Sequence, residues 1–189
     1  MCSLKKYALI GVAALTAFTI SCSDKDEDDK DEGGKFVVKA GEAALGGIGS
    51  SDYGSSLDID ASNKVYTLDQ VTASVANDID VIFDGTNIYT PHSIKTAGGN
   101  DIKSIKDKYT NSSSDAFIFK VSSSTTTDDD LLEVFGDLPD SEPDAVISGI
   151  STGKKFGVLT SEGDKLVLVT VKEKNGQNIL VTLMVVEAE

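Results

Sequence analysis

A chain of 189 residues with 31 acidic side chains against 17 basic ones carries a formal charge of −14, a balance that repels phosphate backbones and excludes nucleic acid as a partner. Every basic residue is a lysine, so no guanidinium is available to grip a carboxylate or phosphate at two points. Two cysteines, one histidine and no tryptophan exclude a His/Cys zinc centre and remove the indole as a stacking platform.

The first 34 residues set the address. Lys5 and Lys6 form a basic start, and residues 7–20 are an uncharged, mostly apolar run of signal-peptide length, too short for a comfortable permanent span. The run ends in Thr19-Ile20-Ser21-Cys22, where a small residue directly precedes a cysteine. This stretch resembles the lipobox of bacterial lipoproteins, with Thr19 in place of the usual Leu and Ile20 in place of a small residue. The resemblance implies removal of residues 1–21 and lipidation of Cys22. Cysteine usage agrees, because Cys2 leaves with the signal and the remaining chain has no other thiol. Several acyl chains on one residue would anchor the protein stably.

Residues 22–34 are an acidic run closed by Gly33-Gly34. Without apolar side chains they cannot offset the entropy of ordering, so they are expected to be an extended, solvated tether. An acidic segment directly after the lipidated cysteine resembles the surface-export signal of Bacteroidetes-type lipoproteins, and it implies an outer-membrane protein facing the cell exterior.

Residues 35–189 have the length of one domain with a proper core. Phe36-Val37-Val38 predicts a first strand, and the five glycines of residues 41–54 predict a long mobile loop. That loop lacks the spacing of a phosphate-binding motif. Leu57 and Ile59 alternate with Asp58 and Asp60, as in a half-buried strand with its acids outward. A turn over residues 61–64 leads to Val65-Tyr66. Thr67 and Gln70 have capping-box spacing, and Leu68, Val71 and Val75 share a helical face, predicting a helix over residues 68–76.

Alternation returns at Ile79, Val81 and Phe83, and Asp84-Gly85 turns the chain. Residues 87–90 predict a strand stopped by Pro91. Ile102, Ile105 and Tyr109 keep helical spacing after a possible Asn100 cap. Phe117, Phe119 and Val121 line one side of a further strand. The acids at residues 128–130 precede Leu131, Leu132, Val134 and Phe135, which complements a helix dipole. Three β-branched runs then follow, residues 156–160, 165–172 and 178–186, the last two joined by a turn centred on Asn175-Gly176. They predict a closing antiparallel meander whose central strands, apolar on both faces, are covered on each side.

The block from residues 55–91, with Lys64-Val65-Tyr66-Thr67 and Ile79-Asp80-Val81-Ile82-Phe83, is similar to one recurring in uncharacterised Bacteroidetes-type secreted lipoproteins. That resemblance bears on address and implies no activity.

Little in the domain points to chemistry. His92 is the single candidate base, and its neighbour Ser93 would point to the opposite face of an extended segment. Asp58, Asp60, Ser62 and Asp69 fall at spacings partly like a calcium loop, but Asn63 stands where that loop needs glycine. An alternating strand and a turn account for the same residues, so no metal or other cofactor is assigned. Acidic side chains are too abundant for any pair to signal a glycosidase. Tyr53, Tyr66, Tyr89 and Tyr109 could offer some contact to a ligand, though aromatic rings at this density are mostly core.

The expectation is therefore an α+β fold, a strand-rich single domain with a C-terminal antiparallel meander and two or three short helices. Its expected function is a lipid-anchored, surface-exposed binding or assembly module for a protein or glycan partner, with no catalytic site. The alternative is an exported carboxylate-dependent hydrolase.

Overall fold

The computed structural model describes residues 36–48, 50, 52–98, 102–138 and 146–188. The export signal, Cys22, the tether and the Asn100 cap lie outside the described residues.

Two five-stranded antiparallel sheets stack face to face. The first has the order β1-β10-β9-β8-β6, from β1 (Phe36–Gly46), β10 (Asn178–Ala188), β9 (Lys165–Asn175), β8 (Lys155–Leu159) and β6 (Phe117–Lys120). The second has the order β3-β2-β4-β5-β7, from β3 (Lys64–Tyr66), β2 (Ser56–Asp58), β4 (Val81–Phe83), β5 (Ile88–Tyr89) and β7 (Val146–Ile147). Among the described residues, four short helices complete the α+β fold: α1 (Val75–Asp78), α2 (Pro91–Thr96), α3 (Lys103–Tyr109) and α4 (Asp128–Gly136).

The meander β8-β9-β10 behaves as its composition demands. Val167, Val169 and Val171 face the second sheet and pack with Leu57, Val81 and Phe83, while Leu166 and Leu168 face the other way and pack with Phe119 and Leu131 of α4. The second sheet is likewise covered outside, where Ile82 and Tyr89 meet Ile94, Ile105 and Tyr109 of α2 and α3. Layering of helices, sheet, sheet and helix explains why β4, β5 and β9 carry apolar side chains on both faces.

Several local expectations need correction. The glycine-rich stretch is no mobile loop over its first half, because β1 runs on through residues 41–46, with Ala43 and Leu45 buried at alternate positions. Its glycines serve close approach: a Cβ on Gly47 would stand 2.6 Å from the Gly85 Cα. Residues 68–76 do not form one helix. A 3₁₀ turn over Leu68–Gln70 is closed by the Gln70 side chain, whose Oε1 accepts from Thr67 N at 2.9 Å. Thr72 Oγ1 then accepts from Val75 N at 3.3 Å, and helix resumes only at Val75, because hydroxyl side chains compete with the helical ladder.

The hairpin signal is displaced by one residue. Asn175 pairs with Asn178, so the loop is Gly176-Gln177, with positive φ (58°) at Gly176 alone, the pattern of a type II′ turn in place of type I′. Asp58 is buried, 3% exposed, in place of outward, because helices cover that face of the second sheet.

Candidate functional site

Acidic side chains from both sheets converge where the β2–β3 turn meets the β8–β9 turn. Ser62 and Asn63 both take left-handed backbone conformations, φ 61° and 62°, and turn β2 back into β3. Asp58 Oδ1 accepts from Ala61 N at 2.9 Å and holds the start of that turn. Asp60 then reaches the first sheet, where Lys165 Nζ lies 2.8 Å from its Oδ1. On the opposing side, Gly163, at φ 72°, donates to Thr160 O at 2.9 Å, and Thr160 Oγ1 donates to Asp164 Oδ1 at 3.2 Å.

Asp80, just ahead of β4, joins the two turns. Its Oδ2 accepts from Ile59 N at 2.7 Å and its Oδ1 from Ser161 N at 2.6 Å, so one fully buried carboxyl satisfies a backbone donor on each sheet. Burial raises its pKa to about 7; the two N–H bonds work against that rise, while the charges of Asp60 and Asp58 reinforce it. Burial likewise pushes Asp58 up, against its bond from Ala61 N and with the charges of Asp60 and Asp78. Glu162 is raised chiefly by the charge of Asp60. Burial pulls Lys165 down, but the hydrogen bond and charge of Asp60, with Asp164 and Glu187, leave it raised.

Oxygens from Asp60, Glu162 and Asp164 lie within 4.8 Å of one another. Of the calcium candidates, Asp60 belongs to this trio and Asp58 lies behind it. Ser62 is exposed in the intervening turn. Asp69, also exposed, follows the far end of β3, away from the trio. Asp80, Glu162 and Asp164 were not singled out by spacing, since their meeting with Asp60 depends on how the sheets stack. The Ser161-Glu162-Gly163-Asp164 turn carried the one local signal, two acids flanking a glycine.

The other candidates are placed differently from expectation. His92 and Ser93 occupy the first turn of α2 rather than an extended segment. His92 is exposed, whereas Ser93 is buried in a capping box, its Oγ accepting from Thr90 N at 2.9 Å. The serine is thus committed to ending the strand and starting the helix. Tyr109 is fully buried and donates to Ser56 Oγ at 2.6 Å, and burial drives its phenol well above the usual range. Tyr89 donates to Asp84 Oδ2 at 3.0 Å. Tyr66 carries Lys64 Nζ 4.5 Å from its ring centroid, and Tyr53 is 44% exposed.

A cleft of about 240 Å³ lies apart from the acids, on the outer face of the first sheet ahead of α4. Lys155, Thr170, Thr182 and Met184 help to line it, and Lys155 Nζ is already bonded to Ser123 O and Thr125 O at 2.9 and 2.7 Å. No helix among the described residues is long and apolar enough to cross a membrane.

The two-sheet α+β architecture has a counterpart among solved structures. It is similar to the crystal structure of a DUF4466 family protein from Parabacteroides merdae, with a TM-score of 0.55 and 13% sequence identity over 79% of this chain and 54% of that one. The likeness is one of fold, and the chain spans about half the length of that protein. No protein-family model and no curated protein sequence matches the chain.

Proposed function

We propose that this chain is a lipid-anchored binding module of the outer membrane, held by Cys22, standing off on its acidic tether and facing the cell exterior. The observation that carries the reading is the Thr19-Ile20-Ser21-Cys22 lipobox followed at once by the acidic run. Support for binding over catalysis comes from the commitments of the polar side chains: Ser93 serves a helix cap, and Asp80 already accepts two backbone donors. A sandwich with helices packed on its second sheet and over part of its first is a stiff support on which exposed loops could meet a protein or glycan partner.

Protease treatment of intact cells tests the proposal, beside a Cys22→Ala variant and a periplasmic marker. The expected result is digestion of the domain with the marker spared, and loss of membrane association in the variant. Protection until the outer membrane is opened would overturn the outward orientation, and an anchored Cys22→Ala protein would overturn the lipid anchor.

The alternative, a carboxylate-dependent hydrolase, has the raised pKa of Asp80 in its favour. Against it, that carboxyl is fully buried between two backbone donors, and no acid lines the cleft.

A further inference from the structure

Surface acids often gather without binding anything, but Asp60 is not an ordinary surface acid. Its side chain is 10% exposed, and Lys165 occupies Oδ1. Its Oδ2 is buried without a hydrogen-bond partner, the sole buried side-chain nitrogen or oxygen so left among the described residues. A buried carboxylate oxygen without a donor carries its full desolvation cost. A cation is the other partner that such an oxygen can take.

We infer that Asp60, Glu162 and Asp164 form a calcium site that clamps the β2–β3 turn to the β8–β9 turn. The three residues supply hard oxygen donors, which suit calcium and not the softer transition metals. Two oxygens on opposite sides of a calcium ion, with bonds of about 2.4 Å, stand roughly 4.8 Å apart, and the trio lies within that separation. Magnesium sheds its water reluctantly and keeps several waters, so it gains less than calcium from three carboxylates of which one is already shared with a lysine. Three carboxylates against the one ammonium of Lys165 leave two negative charges, which a divalent cation balances.

Glu162 and Asp164 are exposed, so the ion has an entry path and water can complete its coordination. Lys165 remains on Oδ1 and competes for the same charge, which sets the affinity in the weak, millimolar range of extracellular calcium modules. The ligands come from both sheets, so binding is linked to the stability of the whole sandwich. This inference stands independently of the lipid anchor and of any macromolecular partner.

The test is thermal unfolding and calorimetric titration of the purified full-length protein with calcium chloride, beside magnesium chloride. At 10 mM calcium the melting temperature should rise by roughly 5 °C, with a saturable single-site heat and less than half that rise with magnesium. A Glu162→Gln, Asp164→Asn double variant alters only exposed side chains, and should fold normally and lose the calcium-dependent rise. Absence of a saturable calcium heat in the unaltered protein, an equal effect of magnesium, or a full calcium shift in the double variant would each overturn the site.

Discussion

Two groups of acids in this molecule respond in opposite directions to the fold. In the first turn of α4, the half-buried Asp130 accepts from Thr126 N and Thr127 N at 2.8 and 3.0 Å; those donors hold its pKa below the usual range. Between the sheets, Asp80 also accepts two backbone N–H groups, yet burial raises it to about 7. Two backbone donors thus accompany opposite shifts: at Asp130 the hydroxyls of Thr126 and Thr127 add to the lowering, and at Asp80 desolvation outweighs both bonds. Acid at a helix start serves local structure, whereas acid between sheets opposes ionisation and couples distant turns.

The largest test of this contrast is removal of Asp80. Asp80→Ala strands the amides of Ile59 and Ser161, and should cost on the order of 3 kcal/mol in urea unfolding. The same residue sets a pH dependence. Its folded pKa lies above the ordinary value of 3.8, so the folded state keeps a proton that the unfolded chain releases. Its contribution to stability is therefore present below about pH 4 and lost as pH rises through about 7. Asp80→Asn should flatten that part of the profile. An unchanged slope would show that Asp80 ionises freely in the folded state.

Lys165→Ala comes next, since it leaves the nearly buried Asp60 carboxylate unpaired beside Glu162 and Asp164. A loss of roughly 2 kcal/mol is expected, with part recovered on addition of calcium. At α4, Thr127→Ala removes the cap whose side chain accepts from Asp130 N at 3.1 Å, and should cost about 1 kcal/mol. The smallest effect belongs to Asp129→Asn at the exposed first turn of α4, a slight loss at low salt that disappears in 1 M salt, consistent with a screened dipole contribution of under about 1 kcal/mol.

The same contrast explains what could be read in the chain. The capping acids of α4 were legible because donor and acceptor lie three residues apart. The closing meander was legible because apolar residues occupy both faces of residues 166–169, leucines on one and valines on the other, a pattern that a sheet covered on each side satisfies. Its hairpin was placed one residue early, since Asn-Gly is a strong turn signal and the register is fixed instead by strand pairing over residues 165–187. β1 was cut short because glycine and alanine imitate a loop, although the alternation of Ala43 and Leu45 continued.

The acid site was only half legible. Asp58 and Asp60 stand out through their spacing, but Asp80 lies 21 and 81 residues from the backbone groups that it binds, and Glu162 and Asp164 lie about a hundred residues from Asp60. Beyond the two acids that flank Gly163, nothing local distinguishes them from other turn acids. Asp69 drew notice through a spacing that the β2–β3 hairpin makes irrelevant, because an antiparallel pair carries it to the opposite end of the strand.

The pairing of β1 with β10 has a mechanical consequence. Phe36 lies opposite Ala188 and Gly46 opposite Asn178, so a pull entering at Phe36 and resisted at the Gly176-Gln177 end runs along the strand axis. All eleven cross-strand pairs then share the load at once as shear, where a pull at Phe36 against Ala188 would open them one at a time like a zip. A domain that met its partner at the hairpin end while held from its first strand would therefore resist drag by its strongest direction.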